Sequence, residues 1–189
     1  MKRVMLFLLG FSLFSACTKE KEIVSNVSVQ QKTTELKQAH EKLLTSIQQL
    51  GYLSMEQLQQ VANSSTPLQE LKELSPKGYQ EVEKYYNELI QKLDEAKDSG
   101  ISETEVKSLL KENATLVFQN TRTGNQNFTG VPCYDTWELT VLGSLATYSI
   151  CVGGAGWTGV GLGLCSIGLG VAMLIAEERY DRCLDTTYE

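Results

Sequence analysis

The chain has 189 residues, 21% of them charged and 42% hydrophobic, and a net charge of −6. That length supports one domain with a real core, or two small ones. An acidic chain without a basic stripe has nothing with which to neutralise phosphates, which argues against nucleic acid as a partner.

Residues 1–16 have the three parts of a secretory signal: Lys2-Arg3, an apolar run over 4–13, then Ser15-Ala16. The apolar run is half the roughly 20 residues that a spanning helix needs. The next residue is Cys17. Ser15, Ala16 and Cys17 together resemble the lipobox of bacterial lipoproteins, departing from it at Phe14 where Leu is usual. The resemblance implies cleavage before Cys17, an acyl chain such as palmitate on its sulfur, and a cell-envelope address. Position 18 is Thr rather than Asp, and Lys19-Glu20-Lys21-Glu22 looks like the surface-export tag of Bacteroidetes lipoproteins. The implied location is the outer membrane or the cell surface, with 17–30 as a polar, lipid-anchored tether.

A helical period then runs over 31–112. Leu36, Ala39, Leu43, Leu44, Ile47 and Leu50 recur at spacings of three and four, on one face of a helix that Gly51 stops. Ser54 and Gln57 fit a capping box for a short second helix to about 61. Residues 63–66 break it, and Pro67 opens a third, to 74. Ser75-Pro76 repeats the start signal for a long helix carrying Val82, Tyr85, Tyr86, Leu89, Ile90, Leu93 and Ala96, with Glu88 and Lys92 spaced for an i,i+4 pair. Asp98-Ser99-Gly100 ends it. Ser102 and Glu105 cap a last short helix to about 112, and a strand pattern competes only at 115–118. The helical region is therefore 31–118, followed by an exposed Asn-, Gly- and Thr-rich loop over 119–132.

The remaining segment, 133–189, holds Cys133, Cys151, Cys165 and Cys183, with 17, 13 and 17 residues between them and Thr158 at the centre. Residues 139–176 contain no charge, and six glycines fall within 152–164. The flanking arms, 134–150 and 166–182, are long enough for helices. Along a helix, Cys133 and Cys151 lie about 27 Å apart, whereas a disulfide needs Cα atoms within about 7 Å. A 133–165 with 151–183 pairing requires parallel arms and a climbing connection. Antiparallel arms joined by a plain turn place 133 beside 183 and 151 beside 165, so nested bridges Cys133–Cys183 and Cys151–Cys165 are the expectation. Oxidising export makes them feasible. Zinc on the four cysteines is the rival, but the spacing has no CxxC pair.

The fold class expected is all-α: a helical N-terminal region and a disulfide-stapled, glycine-rich helical hairpin. Two coverings would suit a charge-free hairpin. Protein would cover it if it forms the core beneath residues 31–112. Lipid would cover it if it inserts, with Trp157, Gly159 and Gly163 as membrane contacts and Trp137 at the base. Chemistry is sparse. His40 is the one histidine, placed beside the first apolar stripe and expected at the surface or boundary, and no His-based triad, HExxH or phosphate-binding loop can be built. Glu81, Glu83, Glu88, Asp94 and Glu95 read as a solvated face. No catalytic residue, metal site or cofactor is expected. The functional expectation is a non-enzymatic envelope lipoprotein that binds or scaffolds an envelope protein. The alternative is a membrane-active, toxin-like protein that inserts the hairpin.

Overall fold

A computed structural model describes residues 28–122, 132–156 and 158–187; the signal segment, Cys17, most of the 119–132 loop and Trp157 lie outside the described residues. Those described are helical without strands. The seven helices are α1 (28–48), α2 (Met55–Asn63), α3 (Pro67–Leu74), α4 (Pro76–Asp98), α5 (Glu103–Arg122), α6 (Pro132–Gly154) and α7 (Gly159–Thr187).

Local chemistry sets most helix ends. Ser54 and Gln57 form the reciprocal capping box at the start of α2, and Ser102 and Glu105 do the same for α5, each satisfying backbone donors that a helix start leaves unpaired. The Ser75 hydroxyl accepts from the Gly78 amide at the start of α4. At its end Gly100 has φ 79°. That left-handed residue lets the Ile101 amide reach back to the Ala96 carbonyl at 3.1 Å and closes a Schellman turn.

Three local expectations are corrected. Helix α1 begins at 28, so the last residues assigned to the tether are already helical. Helix α5 continues past 112 to Arg122, through the 115–118 stretch. The reason is that Leu110, Asn113, Ala114 and Val117 keep one face buried at helical spacing, while the β-branched Thr115 returns its hydroxyl to the Lys111 carbonyl. The Glu88–Lys92 pair is not made. Glu88 instead binds Lys42 across to α1 at 2.7 Å, and Lys92 bridges Glu35 and Glu95, both at 2.9 Å. Lys32 completes this cluster with Glu95 at 2.6 Å. Its two lysines hold the Glu95 carboxyl down to about 2.

One core serves all the described helices. Leu36, Leu43, Leu44 and Ile47 of α1, Leu89 and Leu93 of α4 and Leu110 of α5 share a continuous buried cluster with Leu162, Ile167, Leu169 and Val171 of α7. The helical region and the hairpin are therefore not separate units. Helix α7 is the central element, packed against α2, α3, α4 and α6, while α6 lies outside it against α5 and α7.

Candidate functional site

The hairpin is built as its cysteine spacing requires. Cys133 bonds Cys183 and Cys151 bonds Cys165, with Cα separations of 5.6 and 5.8 Å. The turn is tighter than the run of six glycines suggests, because helix extends to Gly154 and resumes at Gly159. Gly156 takes φ 62° in this turn, which a residue without Cβ adopts freely. Thr158, the centre of the cysteine mirror, caps α7: its hydroxyl accepts from the Gly161 amide at 3.2 Å.

Helical glycine is unfavourable by up to about 1 kcal/mol per site, so packing has to hold this hairpin in place. A Cβ on Gly159 would lie 3.1 Å from Ile90, one on Gly163 2.6 Å from the Tyr86 ring, and one on Gly170 2.8 Å from Ile47. These glycines let α7 approach α4 and α1 closely. Of the three expected membrane contacts, Gly159 and Gly163 therefore face protein, with Gly163 buried, while Trp157 lies outside the described residues.

His40 is the clearest departure from expectation. It is fully buried, with 0% exposure, because the apolar stripe of α1 is wide enough to carry position 40 inward beside Leu36, Ala39 and Leu43. Two partners from distant parts of the chain make this tenable. Asn113 Nδ2 on α5 donates to the Lys37 carbonyl at 3.0 Å and to His40 Nδ1 at 3.1 Å. This assigns the proton to Nε2, which donates to the Tyr148 hydroxyl of α6 at 3.2 Å. Tyr148 in turn donates to Ser166 of α7 at 3.4 Å, and Ser166 to the Leu162 carbonyl at 3.0 Å. The chain of bonds joins α1, α5, α6 and α7, and each polar side chain in it is satisfied. Burial drives the His40 pKa down to about 3, keeping the ring neutral, and raises that of the Tyr148 hydroxyl.

The two arms are covered unequally. Among described helices α7 alone is long and apolar enough to cross a bilayer, yet 61% of its most apolar stretch is buried in protein. Helix α6 buries Cys133, Val141, Tyr148 and Val152, packs Trp137 and Leu145 partly against the core and turns one stripe outward. Leu139 is 71% exposed, Leu142 56% and Ile150 77%. Gly143, Ala146 and Gly153, also exposed, extend them into one uncharged stripe at helical spacing. Trp137 sits at the base, partly buried against the core. Beside the inner disulfide, an open apolar groove of about 430 Å³ lies between Val61 and Pro67 on one side and Cys151, Leu164 and Gly168 on the other.

The burial of His40 and its partnership with Asn113 and Tyr148 escaped the sequence reading. Its position next to Ala39 on the apolar stripe was the available signal. No protein-family model matches this chain, and comparison with curated proteins and with solved structures returns no significant match.

Proposed function

We propose that the chain is a non-enzymatic cell-envelope lipoprotein, held at the outer membrane or cell surface by an acyl group on Cys17, that binds or scaffolds rather than catalyses. The observation carrying this reading is the unequal covering of the hairpin. Helix α7 is locked into the core by close glycine contacts with α4 and α1, while α6, tied in through Tyr148 and the two disulfides, presents an uncharged apolar face outward. Such a face suits contact with a partner protein or with a membrane surface. Both nitrogens of the single histidine are committed to buried protein partners, a joint between helices rather than a proton-transfer site open to substrate.

Metabolic labelling with palmitate tests the anchor. Label should enter the wild-type chain and be lost in Cys17→Ala, which should also leave the membrane fraction; label retained by the variant would overturn the assignment. A second reading, insertion of the hairpin as a membrane-active device, draws on the length and apolarity of α7. It requires the hairpin to leave the core, breaking the Tyr148–His40 contact and exposing Leu162, Ile167 and Leu169. Dye release from vesicles by the mature protein would favour that reading, and its absence in both oxidised and reduced protein would end it.

A further inference from the structure

Helix directions place the start of the described chain and the tip of the hairpin at the same end of the bundle. The Lys32–Glu95 and Lys42–Glu88 pairs make α1 antiparallel to α4. Ile90 against Gly159 and Tyr86 against Gly163 make α4 antiparallel to α7. Glu95 lies five residues beyond Ile90, about 7.5 Å further along the axis, so it brings Lys32 level with the tip. Lys107 near the start of α5, which donates to the Gly153 carbonyl at 2.9 Å, marks the same end.

Among the described residues, four of the six large apolar side chains left exposed belong to the hairpin: Leu139, Leu142 and Ile150 along α6, and Val160 at the tip. No Lys or Arg lies on α6, and its acidic residues, Asp135 and Glu138, sit at the base away from the tip. Ten residues separate Cys17 from α1; they reach at most about 36 Å even when fully extended. A lipid on Cys17 thus confines the tip end of the bundle to the neighbourhood of the bilayer, where an uncharged apolar face finds its complement.

We infer that the outer face of α6 and the hairpin tip rest on the bilayer that holds the Cys17 lipid, α6 lying in the interface without spanning it. The inference rests on the lipid-anchor reading. The occupant is the upper acyl region of the membrane, and because no cation on α6 meets a headgroup, the contact is apolar and insensitive to salt.

The test uses the acylated chain in nanodiscs of phosphatidylethanolamine with a minor fraction of phosphatidylglycerol. A nitroxide is placed on the upper acyl chain of a trace lipid. Methyl signals of Leu139, Leu142, Ile150 and Val160 should lose several-fold more intensity than those of Leu68 and Leu74 on α3, which does not pack on α6, and high salt should leave the pattern unchanged. Equal loss at all sites, or loss abolished by salt, would overturn the inference. So would methyl contacts between two copies of α6, which would assign the face to self-association. Mass analysis of Cys17 on the same sample separates the two readings. An acylated chain without selective broadening defeats the bilayer contact alone, whereas a chain without the acyl group defeats the anchor and the contact together.

Discussion

Gly163 of α7 lies against the Cε2 edge of the Tyr86 ring of α4, so close that a Cβ added to the glycine would sit 2.6 Å from that atom. Tyr86 is itself 7% exposed and has little room to yield. Gly163→Ala should therefore destabilise the protein by about 1–3 kcal/mol through overpacking, although alanine is the better helix former by about 1 kcal/mol. Gly168, one and a half turns along the same helix, has open space where its Cβ would be. Gly168→Ala should stabilise by about 0.5–1 kcal/mol. Urea unfolding of both variants checks the pair, and like signs would refute the close-approach explanation.

Loss of stability on mild acidification should trace to His40. Its pKa is about 3 in the folded protein, against a reference near 6.5. Below 6.5 the unfolded chain takes up a proton that the folded chain refuses. The stabilising contribution is complete above 6.5 and is lost as the pH falls toward 3, with a slope of at most about 1.4 kcal/mol per pH unit. Glu177, whose pKa is raised by burial and by the charge of Asp181, contributes with the opposite sign. Subtracting the profile of His40→Gln isolates the imidazole, because the chain has one histidine. A slope unchanged in the variant between pH 5 and 6.5 would mean that the ring is solvated.

The two bridges should differ in their effect on stability and in their accessibility. They span 14 and 50 residues, for which loop entropy gives roughly 3 and 4 kcal/mol. Cys151 is exposed, while Cys133 is 2% exposed. Mild reductant should therefore open Cys151–Cys165 first. Peptide mapping after timed alkylation checks the order, and a native map without the 133–183 link would contradict the fold.

Substitution should be tolerated on the exposed face of one arm and not on the buried face of the other. Leu139→Asp and Ile150→Asp, at exposed sites, should leave unfolding free energy within about 0.5 kcal/mol. Ile167→Ala on α7, at 1% exposure, should lose about 2–5 kcal/mol. Comparable losses on both arms would show that α6 is covered in solution.

Taken alone, the sequence determined what depends on neighbours along the chain. The periodicity of Leu36 to Leu50, the Ser54 and Ser102 capping boxes and the stop at Gly100 are local signals, and the helices start or end where those residues direct. The disulfide pairing was legible too, because helical rise separates Cys133 from Cys151 too far for a bond and an antiparallel turn is the simplest connection. Only the tertiary structure decided which arm is covered. Between residues 139 and 176 neither arm carries a charge, so neither shows a period that points inward. The choice falls to contacts such as Gly163 with Tyr86, made between residues 77 apart in the chain. The burial of His40 was decided in the same way. A histidine on an apolar stripe can be enclosed only where partners complete its hydrogen bonds, and Asn113 and Tyr148 lie 73 and 108 residues away.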